Sequence, residues 1–153
     1  MRSEAGELCL LIRSGGQLCA MPLAHVDETM RPQPIHAVAG APHFVRGIAV
    51  IRGAPVPVVD VAPLLGHEKS QSTRFVTLRI ADRRVAFAVD DVIGVRTIDA
   101  NSISKLPPLF TATSADVISA IGTLDVELLM VIRSARLVPE AVWAAIEIPR
   151  ATA

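Results

Sequence analysis

The four histidines of this chain are the side chains that could hold a metal ion or act as general bases. They are scattered at His25, His36, His43 and His67. Neither an HExxH pattern nor a closely spaced set of histidines and carboxylates accompanies them, as a zinc site would require. We therefore interpret them as ordinary histidines and expect no metal site.

Thiols and carboxylates show no better arrangement for catalysis. Cys9 and Cys19 fall on two neighbouring predicted strands without a CxxC pattern or a third ligand, which favours core thiols over a disulfide or a metal site. Asp90 and Asp91 are adjacent, and successive strand residues point to opposite faces, so their carboxylates would not converge. Because no catalytic set of residues is found, we expect no enzyme activity and no cofactor.

Charged residues placed within apolar strands attract more interest. Arg46 and Arg52 flank an apolar strand and Asp60 ends the next one, so a guanidinium and a carboxylate could meet beside the hairpin turn. Such a pair could be structural, or Arg52 could be presented at a groove for a partner. Val26 and Glu28 share a face if their segment is extended, which would set an apolar contact beside a charge, as interfaces often do. A solvated strand edge is the alternative.

Composition limits the classes of function. Of 153 residues, 51% are hydrophobic and 3% aromatic, a balance that predicts a folded, aliphatic core. Lys plus Arg and Asp plus Glu each number 15, so the chain lacks the basic excess typical of nucleic-acid binding. No apolar stretch approaches the roughly 18 residues of a membrane span, so we expect no membrane insertion and a cytoplasmic protein.

The elements that must position these residues are predicted to be short strands. Valine and isoleucine occur in short runs separated by Gly, Pro and Asp, as in all-β proteins. Hairpins are indicated at the turns 14–16 and 52–55, where glycines can adopt positive φ. Residues 23–30 could be a helical turn or a strand, and 31–43 form a proline-rich loop. The predicted strands are 7–13, 17–21, 44–51, 56–61, 74–81, 84–90, 92–98, 117–124 and 128–132.

The two halves of the chain resemble each other. Placing Val26 on Val92, and Ile48 on Ile121, aligns the apolar pattern of two blocks. About five short strands per half is the size of a small barrel, and closure would remove exposed sheet edges. The repeat therefore predicts two small barrels packed on each other, although any two valine-rich hairpins could look alike.

Boundaries follow from this repeat. We predict one domain, 1–153, with a first sub-barrel over roughly 14–70 and a second over roughly 71–138, and the N-terminal strand could be exchanged between them. A short C-terminal helix is predicted over 139–148, because Pro139 suits the first helical position and Glu140 suits the N-terminal end of the helix dipole.

Several ordered blocks of the sequence are similar to the CheW family, the small adaptor domain of bacterial chemotaxis. The resemblance runs from about Leu8 to Val138 through AMPLAHVDETMRP, AGAPHFVRG, GIAVIRGAPVPVVDVAPLLG, RVAFAVDDVIGVRTI and LDVELLMVIRSARLV. The middle block, GxxxxRGxxxPVVDxxxLLG, is the most specific. The resemblance implies two intertwined five-stranded SH3-like β-barrels that share a hydrophobic junction, without catalytic activity or a cofactor.

The resemblance also implies partners. These are the regulatory domain of a CheA-type histidine kinase, docked on the first barrel, and the cytoplasmic tip of a methyl-accepting chemoreceptor, received in the groove between barrels. Recruitment to receptor arrays at the inner membrane would follow. By position in the family motifs, partner contacts fall to Val26, Glu28, Arg46 and Arg52. Roles at a turn or strand end fall to Gly47, Gly53 and Asp60.

Three departures from the family pattern bear on this interpretation. Val50 replaces the asparagine usual two residues before the RG arginine, Val126 replaces a glycine, and Arg133 replaces an acidic or amide residue. They leave open an adaptor of a non-motility pathway with pilus or second-messenger output. A β-barrel that binds a small ligand is a further alternative, although barrels this small and aliphatic should be filled.

Overall fold

The protein consists mainly of short strands. The computed structural model describes residues 6–64, 67–68, 72–80, 82–98, 103–104, 118–124, 127–132 and 143, and for 103–132 it describes the backbone alone. The strands are β1 (Glu7–Ser14), β2 (Gln17–Pro22), β3 (Val26–Met30), β4 (Val45–Ile51), β5 (Ala54–Asp60), β6 (Arg74–Ile80), β7 (Arg83–Val89), β8 (Asp91–Ile98), β9 (Ile103–Ser104), β10 (Ile118–Leu124) and β11 (Glu127–Ile132). A 3-10 helix at Leu23–His25 and the helix α1 (Val61–Leu64) complete the described elements.

The strands form two sheets of the same design. One sheet has the order β8-β1-β2-β11-β10-β9 and the other β3-β6-β7-β5-β4. In each, an antiparallel hairpin (β1-β2 or β6-β7) lies between an edge strand and a second hairpin, to which it pairs in parallel. The predicted all-β class with two intertwined five-stranded SH3-like barrels is confirmed, and β9 is an additional short edge strand.

The sheets divide the chain differently from the predicted sub-barrels over 14–70 and 71–138. One sheet takes its strands from residues 26–89, whereas the other joins residues 7–22 to strands from 91–132. The N-terminal hairpin therefore pairs with the last strands of the chain. The predicted boundaries left such an exchange of the N-terminal strand open, and chain order could not decide it, because sequential strands pair with each other only about two-thirds of the time.

Matched β-bulges support the predicted internal repeat. The pairing of β3 with β6 slips at Asp27, between Val26 and Glu28, and the pairing of β8 with β1 slips at the equivalent residue, Ile93. The pairs β4-β5 and β10-β11 likewise each carry a bulge, at Arg46 and at residue 119. The bulges at 27 and 93 coincide when Val26 is placed on Val92, and the bulges at 46 and 119 coincide when residue 48 is placed on residue 121.

Both faces of the central strands are buried, because three apolar clusters use alternate residues. One cluster lies within the β3–β7 sheet and contains Phe75, Val56 and Ala86, and another lies within the first sheet around Leu11. The largest joins the two sheets and contains Ile12, Met21, Val45, Val59, Val76, Phe87 and Trp143 among others. The many aliphatic side chains of the sequence are thus buried in the two barrel interiors and at their junction.

The two hairpin turns have the geometry that their glycines predict. Gly15 and Gly16 have φ of 61° and 82°, and Arg52 and Gly53 have φ of 52° and 80°. Consecutive positive φ values are typical of the tight turns that match the twist of a hairpin. The second turn is shorter than the predicted 52–55, since β5 begins at Ala54.

The remaining predictions concern the segment 23–43 and the C-terminal helix. The ambiguous segment 23–30 is a 3-10 turn followed by β3, and the loop 31–43 is irregular apart from one bridge between His36 and Ile48. The predicted helix 139–148 lies outside the described residues except for Trp143, which is buried. No helix in the described part of the chain is long and apolar enough to cross a membrane.

Candidate partner-binding surface

An exposed ion pair joins the two edge strands of the β3–β7 sheet. Glu28 lies on β3, and Arg52 lies in the turn after β4. The guanidinium donates two hydrogen bonds to the carboxylate, from Nε to Oε2 at 2.6 Å and from Nη2 to Oε1 at 2.7 Å. Such bidentate geometry adds directional specificity to the charge attraction. The pair therefore bridges the sheet edges at one end of the barrel.

The bulge in β3 decides which way Glu28 points. Opposed residues in an antiparallel pair share a face, and Glu28 lies opposite Thr77 whereas Val26 lies opposite Leu78. Val26 and Glu28 are consequently on opposite faces of β3, so the predicted shared face is wrong. Val26 packs against the junction cluster instead. The reason is the extra residue, Asp27, which shifts the alternation by one.

Thr77 stabilises this bulge. Its side chain is fully buried, and its Oγ1 accepts a hydrogen bond from the backbone N–H of Glu28 and donates one to the carbonyl oxygen of the same residue, both at 3.2 Å. A bulge leaves strand groups without ladder partners, and a buried unpaired backbone group is costly. Thr77 supplies both missing partners and thereby holds Glu28 in place.

A second arginine lies beside the same carboxylates. Arg84 Nη2 is 2.9 Å from Asp27 Oδ2 and 3.9 Å from Glu28 Oε2. On the regular strand β7, Arg84 alternates with Ala86 and Ala88, which face the interior of the barrel. The four charged groups thus form a network, defined by Asp27, Glu28, Arg52 and Arg84, at the mouth of that barrel.

The charges of the network shift the titration of its members. The hydrogen bonds from Arg52 lower the pKa of Glu28 below its ordinary value, and the charges of Arg52 and Arg84 add to this effect against the opposing effect of desolvation. The hydrogen-bonded carboxylate of Glu28 raises the pKa of Arg52. Both groups are therefore charged at neutral pH.

Arg46 has a different role from Arg52. Its Nε is 3.5 Å from Asp60 Oδ2, and its Nη1 donates a hydrogen bond to Ser72 Oγ at 3.3 Å. Asp60 is fully buried, and its Oδ1 also accepts a hydrogen bond from the N–H of Ala62 at the start of α1. The predicted meeting of a guanidinium and Asp60 is confirmed, with Arg46 as the partner. The side chain of Arg46 is 24% exposed and also lines an open cleft of about 340 Å³.

Gly47 allows the loop 31–43 to approach β4. Its φ is 143°, and a Cβ added there would overlap the backbone of His36. The N–H and the carbonyl oxygen of His36 form hydrogen bonds with those of Ile48, both at 2.8 Å. A side chain at position 47 would separate the loop from the strand, so the structural role expected for this glycine has a local cause.

An apolar cleft adjoins the charge network. Met30, Val50 and Ile51 line it together with Glu28 and Arg52, and its volume is about 240 Å³. Val50, one of the three departures from the family pattern, is 58% exposed here. The other two departures, Val126 and Arg133, lie outside the described residues. An exposed apolar side chain beside an exposed guanidinium is the composition expected at an interface.

The cysteines and histidines form no alternative site within the described ranges. Burial raises the pKa of Cys19 to about 12, which keeps the thiol protonated and unreactive, and Cys9 is also buried. The described residues contain no group of three or more His, Cys, Asp or Glu side chains that could hold a metal ion.

Sequence reasoning missed Asp27, Thr77 and Arg84. Strand alternation could have placed Arg84 on the face of the neighbouring alanines. Its pairing with Asp27 could not be foreseen, because the two residues are 57 positions apart and meet only through the sheet.

Comparisons with known proteins agree with this fold. The CheW-like domain model matches residues 8–142. The chain is 22% identical over 130 residues to the chemotaxis protein CheW of Klebsiella aerogenes, covering 83% of this chain and 78% of that protein. It is 29% identical over 104 residues to Protein PilI of Pseudomonas aeruginosa, covering 65% and 58%.

A solved structure has the same architecture. The crystal structure of the scaffolding protein TtCheW from Thermoanaerobacter tengcongensis superposes with a TM-score of 0.74 at 25% identity, covering 86% of this chain and 92% of that one. Together with the family match over most of its length, this likeness shows that the chain belongs to the CheW-like domain family.

Proposed function

We propose that this protein is a non-catalytic adaptor that couples the cytoplasmic tip of a methyl-accepting chemoreceptor to the regulatory domain of a CheA-type histidine kinase. It acts in the cytoplasm and is recruited to receptor arrays at the inner membrane. Membership of the CheW-like family and the likeness to a scaffolding protein support this function. Similarity to the Klebsiella chemotaxis protein supports the pathway.

The observation that carries the proposal is the exposed guanidinium beside an apolar cleft. Arg52 is 70% exposed although the edge of its guanidinium formed by Nε and Nη2 engages Glu28. Val50 and Met30 lie next to it in the cleft. A partner that buries an apolar side chain there would meet the charge pair at the rim of the contact. We assign this surface, formed by Glu28, Met30, Val50 and Arg52, to partner binding.

Arg46 and Val26 contribute less directly. Arg46 supports β4, the strand that precedes Arg52, because it is paired with the buried Asp60, while its exposed part lines the neighbouring cleft. Val26 stands on the other face of β3, against the junction of the barrels. If a chemoreceptor occupies the groove between barrels, Val26 belongs to that contact rather than to the surface of Glu28.

Coupling follows from simultaneous binding. Docking of receptor and kinase on one adaptor raises the local concentration of each for the other. A receptor state that binds the adaptor differently then biases kinase activity through the coupling free energy. No chemical step at the adaptor is needed.

The test is the variant Arg52→Glu. A carboxylate at position 52 would face Glu28 and turn a neutral charge pair into two negative charges, so we expect loss of co-sedimentation with receptor-containing membranes and kinase, and loss of receptor control of kinase activity. Arg74→Glu is the matched control, since Arg74 is exposed on β6 of the same sheet, opposite Val89. Wild-type co-sedimentation and kinase control in Arg52→Glu would contradict the assignment of Arg52.

A second candidate is an adaptor of a non-motility pathway with pilus or second-messenger output. The 29% identity to Protein PilI favours it. The discriminating measurement is which histidine kinase the protein retains from a lysate of its own host, followed by the output of that kinase in a deletion strain. Loss of swimming responses alone supports the motility pathway, and loss of another output supports the second candidate.

A further inference from the structure

We propose that Arg84 is a reserve counter-cation for Glu28, which receives the Glu28 carboxylate when an acidic side chain of a partner engages Arg52. The inference rests on the proposed function in one respect, namely that Arg52 contacts a partner. It adds a positioning residue that acts through Glu28 and names the chemistry of the partner group as a carboxylate.

The distances place one oxygen between two guanidinium groups. Glu28 Oε2 is 2.6 Å from Nε of Arg52 and 3.9 Å from Nη2 of Arg84. A small rotation of the Glu28 side chain would bring this oxygen into hydrogen-bonding distance of Arg84.

Arg84 also has a buried N–H group without a hydrogen-bond acceptor among the described residues. This group is at Nε, while Nη2 donates to Asp27. A buried N–H without an acceptor is costly, and a Glu28 carboxylate that turns toward Arg84 could supply one. Asp27 need not be displaced, because a guanidinium presents five donors.

The two arginines differ in freedom to move. Arg84 projects from the regular part of β7, and its side chain is 18% exposed. Arg52 lies in a two-residue turn, and its side chain is 70% exposed. Arg52 can therefore turn toward a partner, whereas Arg84 stays with the carboxylates of the bulge that Thr77 stabilises.

A partner carboxylate would otherwise bind against a penalty. If the partner carboxylate takes the edge of Arg52 formed by Nε and Nη2, the half-buried Glu28 loses both of its hydrogen bonds there, and a carboxylate left unpaired at the interface is expensive once water is excluded. With Arg84 beside it, Glu28 exchanges one guanidinium for another. Arg52 is then free to bind the partner carboxylate in bidentate geometry.

The first test uses the protein alone. The pKa of the Glu28 carboxyl is measured by NMR titration in Arg52→Gln, in Arg52→Gln/Arg84→Gln and in the control Arg52→Gln/Arg74→Gln, where Arg74 is an exposed arginine at the other end of β6, opposite Val89. We expect the pKa of Glu28 to stay below its ordinary value in Arg52→Gln and in the control, and to return to it only when Arg84 is also removed. An ordinary value in Arg52→Gln itself would overturn the inference.

The second test measures binding of the purified kinase regulatory domain from the same host. We expect Arg84→Gln to bind about tenfold more weakly, the effect of one carboxylate left unpaired, while Arg74→Gln binds as the wild type does. Unchanged binding by Arg84→Gln, with binding abolished in Arg52→Glu, would overturn the inference and leave the proposed function standing. If the titration result holds and Arg52→Glu binds normally, the reserve pairing stands and the proposed role of Arg52 fails.

Discussion

At the scale of single residues, Arg46 on β4 and Arg52 in the turn after it show how the surroundings of a side chain determine its role. Arg46 is paired with Asp60, whose carboxylate is fully buried, so the positive charge of Arg46 offsets a negative charge that solvent does not reach. Arg52 is paired with Glu28 at the surface, where water competes for both groups. Substitutions of Arg46 should therefore act on stability, and substitutions of Arg52 on binding.

Gly47 provides a test of the local packing. We expect Gly47→Ala to lower the free energy of unfolding by about 3 kcal/mol, because the new Cβ would overlap the backbone of His36 and the backbone is in a strained region for alanine. Urea titration measures the change. Gly40→Ala is the control, since φ there is 80° but nothing lies near the added Cβ, so it should cost about 1 kcal/mol. Equal costs for both variants would contradict the role of close approach.

At the scale of elements, β3 shows that one extra residue determines which side chains form the surface. The bulge at Asp27 turns Glu28 toward the barrel mouth and leaves Val26 on the junction side. Without the bulge, strict alternation would return Glu28 to the face of Val26. The interface thus depends on a backbone irregularity held by Thr77.

We expect Thr77→Val to lower the free energy of unfolding by about 2 kcal/mol, since the shape is preserved while two hydrogen bonds to the Glu28 backbone are lost. Chemical denaturation measures this cost, and amide exchange at Glu28 should become faster. Thr29→Val, an exposed change on β3 next to Glu28, should alter stability by less than about 0.5 kcal/mol. A slow Glu28 amide in Thr77→Val would show that another group holds the bulge.

At the scale of the whole molecule, the two sheets depend on one junction. Alternate residues of β1, β2, β6 and β7 turn toward it, so each sheet buries on the other the face that it would expose alone. The N-terminal hairpin also closes the sheet made from the end of the chain. Both features predict that the two barrels unfold together.

Ile12→Ala tests this cooperativity. We expect a loss of about 3 kcal/mol in the free energy of unfolding, because a fully buried side chain at the junction is truncated. The slowest amides of both sheets, on β2 and on β7, should lose the same protection in hydrogen exchange. Ile93→Ala, at a side chain that is 47% exposed, should cost less than about 1 kcal/mol. Loss of protection confined to the β1–β2 sheet would contradict a single cooperative unit.

The sequence by itself determined the features that short windows encode. Alternating valines and isoleucines predicted the strands, and the glycines at 15–16 and 53 predicted the turns. The repeat that places Val26 on Val92 was also visible, because each half preserves its own apolar pattern. These properties depend on the period of a strand and on the φ preferences of single residues.

Only the tertiary structure decided which distant residues meet. The N-terminal hairpin pairs with the last strands of the chain. Asp60 forms an ion pair with Arg46, and Glu28 forms one with Arg52. Arg84 lies beside Asp27. Strand pairing and the position of a bulge arise from packing across the whole molecule, and one extra residue reverses every following side chain. The surface proposed for partner binding is therefore a product of the fold, although each of its side chains can be read in the sequence.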